Sequence, residues 1–201
     1  MDKTVFEKLN LNGVLFDAGL TECELLKIEE LYGVHFPKSL RKFLQYGVPM
    51  SESEYEFPRW RDFSEKNIAA IRQKMNDPFD WLKNDIVKNG FWLPCWGEKP
   101  SSPENAKNDF NALISRSPKL IPIFGHRYMP QLENIDNPPV ISTVGRDTVI
   151  YGATLEDYLE MEFSDIDHQS SHLENIPYIP IWTDLYNAII NMKPLKIGRE
   201  A

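Results

Sequence analysis

The chain has 201 residues, 42% of them hydrophobic and 12% aromatic, and its formal net charge is −8. A chain of this size and composition suits one well-buried core, so we expect a single domain over 1–201. The acidic balance argues against nucleic acid as a partner, because lysine and arginine supply most of the affinity for phosphate.

Nothing in the sequence indicates export or membrane insertion. No stretch approaches the roughly 20 apolar residues that a membrane helix requires, and the first residues lack the apolar core of a signal peptide. Cys23 and Cys95 have no second pair of metal ligands nearby, so neither a disulfide framework nor a zinc site is predicted. We therefore expect a cytoplasmic protein with no membrane partner and no cofactor.

The first predicted element is a helix that begins after Thr21. Glu24 follows Thr21 at the spacing of a capping box, and Leu20 and Leu25 have the spacing of a hydrophobic staple. Gly33 predicts the end of this helix, because glycine readily adopts the left-handed conformation of a C-terminal cap.

A second short helix is predicted after Pro37, a residue that suits a first helical turn. Leu40, Phe43 and Leu44 recur on one face at helical spacing, and Gly47 follows them. Two short helices therefore open the predicted fold.

The segment 51–57 alternates strictly, so an extended chain would place Glu52, Glu54 and Glu56 on one face and Tyr55 on the other. A charged edge strand protects a sheet from edge-to-edge aggregation, which is one explanation of this pattern. The other explanation is a contact with a partner, for which the three glutamates and Tyr55 are candidate residues.

The middle of the chain, about 61–117, is predicted to form helices inserted between the N-terminal helices and the strands of the second half. One helix is predicted to begin at Ser64, and a second at Asp77-Pro78 that ends at Gly90. The aromatic cluster 91–96 has the composition of a buried plug under a loop, and another helix is predicted to start at Ser101-Ser102-Pro103.

Strand signals concentrate in the second half. The segments 119–124, 140–144 and 148–151 are rich in β-branched residues, and the last two form an evident hairpin. Thr154 then predicts another helix start. The predicted fold class is α+β, with a mainly antiparallel sheet, flanking helices, two short N-terminal helices and helical insertions in the middle.

Several short stretches of the sequence, taken together in their order along the chain, resemble the pattern of a known family. They are 20–21, Glu24, 32–37, Leu40, Phe43 and Leu44, 120–128, 139–142, 150–152 and 155–159. Their order and spacing resemble the SUKH superfamily, which includes bacterial immunity proteins and the yeast Smi/Knr regulators of cell-wall synthesis. The chain departs from that pattern at Val48-Pro49, where the family often has a glycine-rich turn, and in its long middle.

The resemblance implies one SUKH-like domain with a core of about 20–163, a helical insertion of about 61–117 and a C-terminal extension of about 164–201. It also implies a bacterial immunity protein that neutralises a cognate toxin, such as a nuclease, by occluding its active site without catalysis. An acidic chain suits a basic toxin, since a nuclease must hold phosphate. A regulatory or scaffold interaction protein is the alternative within the same family.

An enzyme is the alternative of another class, namely a small hydrolase or transferase centred on His126. His126 and Arg127 follow a predicted strand. A histidine could transfer a proton there, and a neighbouring arginine could bind an anion. Neighbouring residues of an extended chain point in opposite directions, however, and no nucleophile motif accompanies them. We therefore expect no catalytic residue, and His126 and Arg127 join the candidate partner-binding residues.

A metal site at His168 and His172 is the last alternative, because the two histidines are four residues apart. The stretch around them has no apolar helical face and reads as a polar connector. No metal is therefore expected.

Overall fold

The protein is described here by a computed structural model, which covers residues 3–50, 57–163 and 176–192. Its elements, in chain order, are α1 (Lys3–Leu11), β1 (Phe16–Ala18), α2 (Glu22–Tyr32), α3 (Lys38–Tyr46), β2 (Gly47–Pro49), α4 (Glu65–Asn89), a 3-10 turn (Pro94–Trp96), α5 (Pro103–Ile114), β3 (Leu120–Phe124), β4 (Arg127–Pro130), β5 (Val140–Val144), β6 (Asp147–Gly152), α6 (Leu155–Phe163) and α7 (Trp182–Met192).

The two sheets are antiparallel. β3, β4, β5 and β6 form a four-stranded meander in sequence order, and β1 pairs with β2 in a separate two-stranded sheet. Ile141 of β5 lies opposite Ile150 of β6, so the predicted hairpin is present. The predicted α+β class with a mainly antiparallel sheet is confirmed.

Local capping signals fix several helix ends. The Glu24 N–H donates to Thr21 Oγ1 (3.2 Å) and the Thr21 N–H donates to the Glu24 carboxylate (2.7 Å), which completes the predicted capping box. Gly33 ends α2 with φ of 62°, the left-handed conformation that favours glycine. Ser64 and Ser102 cap α4 and α5 as predicted. α1, which precedes these elements, was not predicted.

The two helices predicted on either side of Pro78 are one continuous helix, so that part of the prediction was wrong. Proline in a helix interior removes a hydrogen bond and costs about 3 kcal/mol. In α4 both halves are anchored by packing, since Ile71 is buried in the first half and Leu82 and Ile86 in the second. This burial outweighs the local preference for a break.

Strand alternation divides the core into two clusters of buried side chains. Ile121 and Met129 face one cluster, which is completed by α1, α2, α3, α6 and the first half of α4. Leu120 and Tyr128 face the other, with the second half of α4, α5 and α7. The four-stranded sheet thus lies between two helical layers, and the predicted insertion and part of the predicted C-terminal extension supply the second layer.

Arg61 ties the loop before α4 to the start of α2. Its guanidinium donates to the Ala18 and Gly19 carbonyls at 2.6 and 2.7 Å, and it pairs with Glu24 at 3.0 Å and Asp17 at 2.9 Å. The bond from Arg61 and the bond from the Thr21 backbone lower the pKa of Glu24 from 4.5 to about 2.

Replacing Arg61 with methionine is expected to lower the free energy of unfolding by about 2 kcal/mol near neutral pH, because hydrogen bonds to charged groups are lost. The Glu24 pKa is depressed in the folded state, so its contribution is complete above 4.5 and disappears as the pH falls through about 2. Urea unfolding near neutral pH and near pH 2 should therefore show that the difference in free energy of unfolding between wild type and variant is smaller in acid. The exposed Arg116→Met is the matched control and should stay near wild type at either pH.

Candidate functional site

Most of the predicted partner-binding residues cannot be placed. Glu52, Glu54, Tyr55 and Glu56 lie outside the described residues, as do residues 51–56 of the predicted edge strand. The histidine pair at 168 and 172 lies outside them too. Two candidates, His126 and Arg127, are described.

His126 lies in the turn that joins β3 and β4. Phe124 and Arg127 are paired across this hairpin, so Gly125 and His126 form its tip, and Gly125 has φ of 53°. The His126 carbonyl accepts a hydrogen bond from the Thr143 N–H of β5 at 3.1 Å, which fixes the turn against the sheet. The backbone of this turn is thereby held at one end of the four-stranded sheet.

The side chains of His126 and Arg127 are in contact. Arg127 Nη1 lies 3.2 and 3.0 Å from the two ring nitrogens of His126. The expectation that these neighbours point in opposite directions was wrong, because His126 belongs to a turn and only Arg127 to the strand.

Arg127 is held inside the protein. Its Nη2 lies 3.2 Å from the Glu162 carboxylate, and both side chains are only 15% exposed. The guanidinium also lies 4.9 Å from the centre of the Tyr151 ring, a cation–π contact. Its proposed contact with a partner stays a prediction, while the geometry gives it the role of joining β4 to α6.

Two buried polar groups around this pair, Arg127 Nε and the Tyr158 hydroxyl, lack a hydrogen-bond partner within the described residues. Glu162 Oε2 meets Arg127 Nη2 as an ion pair at 3.2 Å but without hydrogen-bond geometry. Burial, followed by the Glu162 charge, raises the pKa of Tyr158 well above its ordinary range. The Arg127–Glu162 contact is therefore an ion pair in a region of poor solvation, and its integrity depends on both charges being present.

A cleft of about 470 Å³ opens between α4 and the β3–β4 turn. It is lined by Ala70, Gln73, Lys74, Asp77, Trp81, Gly125, His126, Tyr128 and Val144. The α4 residues recur every three or four positions, so they form one face of the helix. A cleft with convergent polar groups is typical of enzymes and so favours the enzyme alternative.

Burial and mutual repulsion set the charges in this cleft. Burial lowers the pKa of Lys74 to about 8, against an opposing effect of Asp77. Burial and the Arg127 charge lower the pKa of His126, Asp147 opposes this shift, and Lys74 adds to it. Both shifts disfavour the protonated, positively charged form of the side chain, and burial is the main cause of each.

The cleft can exchange protons and bind polar ligands, but among the described residues no hydroxyl or thiol group is hydrogen-bonded to the His126 ring. No serine, threonine or cysteine is among its described lining residues. In the parts of the chain that the structure covers, no three His, Cys, Asp or Glu side chains are grouped to hold a metal ion.

Sequence reasoning missed Lys74 and Asp77. The helical pattern of α4 was assigned from its apolar side, and a break at Pro78 separated Asp77 from Lys74. The signal was present in the polar positions 73, 74 and 77, which share one helical face when the helix is continuous. That this helical face lies against the β3–β4 turn depends on tertiary packing, which the local sequence does not reveal.

Comparison of the chain with models of known protein families, with curated proteins and with solved structures gave no match. Among the described residues, no helix combines the length and the apolar character that crossing a membrane requires.

Proposed function

We propose that this protein is a non-enzymatic SUKH-like domain that binds a basic bacterial toxin and occludes its active site. The observation that supports this proposal is the position of the stretches that resemble the family. Thr21 and Glu24 flank the first residues of α2, the stretch 32–37 joins the end of α2 to α3, and 120–128 includes the β3–β4 turn. The stretches 139–142, 150–152 and 155–159 lie on β5, β6 and α6 in the same order.

The charge of the chain supports the same proposal. A net charge of −8 attracts a basic domain over distances greater than the contact itself, and the attraction weakens with salt. Occlusion requires only shape and charge that match the toxin surface, so no catalytic group is needed.

Reversing the charges of Glu52, Glu54 and Glu56 to lysine is expected to slow association with the toxin by about tenfold at low salt, since electrostatic steering governs the association rate. Thermal unfolding should change little. Stopped-flow mixing with a candidate basic toxin domain, such as a nuclease that this chain protects against, measures the rate.

The control for this triple variant changes the net charge equally at a different place. Glu98, Asp109 and Glu133 are exposed and are replaced by lysine together. Equal association rates for the two triple variants would show that segment 51–57 does not contact the partner.

Co-expression tests the immunity role itself. Cells that produce the toxin should survive when this chain is present and die when it is absent. A regulatory or scaffold protein would leave the toxin active, so death in both cases would contradict the immunity proposal and favour that alternative.

The cleft at His126 supports a second candidate, a small hydrolase or transferase, because His126, Lys74 and Asp77 converge there. Stoichiometry separates the two candidates. A protein that occludes a toxin inhibits it fully at one equivalent, whereas an enzyme that modifies the toxin or its product protects at far lower ratios. A titration that ends well below one equivalent would contradict occlusion.

A further inference from the structure

A hollow of about 260 Å³ lies between the C-terminal end of α2, the middle of α4 and the start of β3. It shares no described lining residue with the cleft beside the β3–β4 turn. Arg72, Asn76 and Phe79 line it from one face of α4. Tyr32 comes from α2, and Lys119 directly precedes β3. The volume is below the roughly 300–1,000 Å³ of pockets for drug-sized ligands, so the hollow suits a smaller molecule.

Two cations border this hollow, and its described lining residues include no aspartate or glutamate. The Arg72 guanidinium donates to the Leu31 carbonyl at 3.0 Å, and the Lys119 ammonium donates to the Gly33 carbonyl. Within the described residues these are the only hydrogen bonds of the two side chains, and neither forms an ion pair with a carboxylate. Because Leu31 and Gly33 are two residues apart at the end of one helix, the two positive charges are held near each other.

Both cations have donors to spare. A guanidinium and an ammonium each carry several N–H donors, and each uses one of them on a carbonyl at the end of α2. These contacts suit a helix C-terminus, where the last carbonyls attract positive charge. The remaining donors are available to a ligand in the hollow.

Tyr32 adds a hydroxyl to the same hollow. Tyr32 is 8% exposed, and within the described residues its hydroxyl has no hydrogen bond. Burial raises the pKa of Tyr32, the Arg72 charge opposes this shift and the Asp62 charge adds to it. Asp62 does not line the hollow, and its carboxylate accepts a hydrogen bond from the Ser64 N–H at 2.9 Å. The phenol therefore stays protonated near neutral pH and can donate to an anion.

We infer that this hollow binds a small phosphate monoester. Its phosphate group accepts hydrogen bonds from Arg72, Lys119 and the Tyr32 hydroxyl, and its apolar body packs on the half-buried Met75 and Phe79. A phosphate monoester carries nearly two negative charges near neutral pH, which matches the two cations. This inference goes beyond toxin binding and does not depend on it.

The test uses the full chain and three probes: phenyl phosphate, benzenesulfonate and inorganic phosphate. Benzenesulfonate has a similar shape and only one negative charge, so we expect phenyl phosphate to bind about tenfold more tightly. Inorganic phosphate lacks the apolar body and should bind at least about threefold more weakly than phenyl phosphate. Isothermal titration calorimetry measures the three affinities.

Lys119→Met and Arg72→Met each remove one charge and keep an apolar stem, so each should weaken the binding of phenyl phosphate by about tenfold. Arg72→Lys keeps the charge and should retain most of the affinity. Lys42→Met is the matched control, because Lys42 is exposed on α3 and does not line the hollow. It changes the net charge equally and should bind as wild type does. Thermal unfolding of all the variants shows whether the fold is retained.

Tyr32→Phe separates ligand binding from stability. The hydroxyl has no hydrogen bond within the described residues, so its removal should leave thermal unfolding near that of wild type. The binding of phenyl phosphate should weaken by about fivefold, since one donor to the phosphate group is lost. A hydroxyl with a purely structural role would not change the affinity.

Four results would overturn the inference. They are equal affinities for phenyl phosphate and benzenesulfonate, wild-type affinity in both Lys119→Met and Arg72→Met, an equal loss in the control Lys42→Met, and no binding of phenyl phosphate up to about 10 mM. None of these bears on toxin neutralisation, which the co-expression experiment tests separately.

Discussion

Trp182→Ala should lower the free energy of unfolding by about 4 kcal/mol, among the larger effects of a single core substitution. Trp182 is 1% exposed at the start of α7 and meets the Phe79 ring of α4 at 5.2 Å. Its indole N–H donates to Ser117 Oγ at 3.1 Å. The truncation removes a large buried surface and this bond together, so urea unfolding should show a clear fall in the midpoint.

Ile190→Ala is the control for this substitution. Ile190 lies on the same helix and is 46% exposed, so its truncation should cost less than about 0.5 kcal/mol. Similar losses in the two variants would mean that α7 does not pack on the second face of the sheet.

Arg127→Ala should cost about 3 kcal/mol, because it leaves the Glu162 carboxylate largely buried without its cation. Removing both charges should restore much of the stability, since well-packed apolar residues often replace a buried ion pair at little cost. A double-mutant cycle with Arg127→Met and Glu162→Leu, followed by urea unfolding, measures the coupling.

An exposed ion pair provides the contrast. Lys38 and Asp136 are 2.9 Å apart, but their side chains are 70% and 65% exposed. Lys38→Ala should therefore cost less than about 1 kcal/mol. If Arg127→Ala proved equally mild, solvent would have to reach the Arg127–Glu162 pair.

The elements that sequence reasoning predicted correctly are those with local signals. The capping box at Thr21, the serine caps of α4 and α5 and the β5–β6 hairpin depend on residues within a few positions of one another. The Asp157 N–H also donates to Thr154 Oγ1 at 3.1 Å at the start of α6, as expected.

The elements that it missed are stabilised by distant contacts. α7 follows two prolines and a polar stretch, and its stability comes from the burial of Trp182 and Leu185 against the sheet and α4. β4 is short and follows a histidine turn, and it became evident only through pairing with β3 and β5. Tertiary packing, which local patterns do not encode, decided both.

The candidate site divides in the same way. His126 was found because it follows a strand signal, but its contact with Arg127 depends on a turn of Gly125 and His126. Lys74 and Asp77 belong to the cleft because α4 runs unbroken past Pro78, which the strong helix-breaking tendency of proline had argued against.

The continuity of α4 also bears on how the molecule unfolds. α4 contributes Ile71 to the first cluster of buried side chains and Leu82 to the second. Unfolding of either cluster therefore removes packing contacts from the same helix. We therefore expect the two halves of the interior to melt in a single cooperative transition, with α4 as the element that couples them.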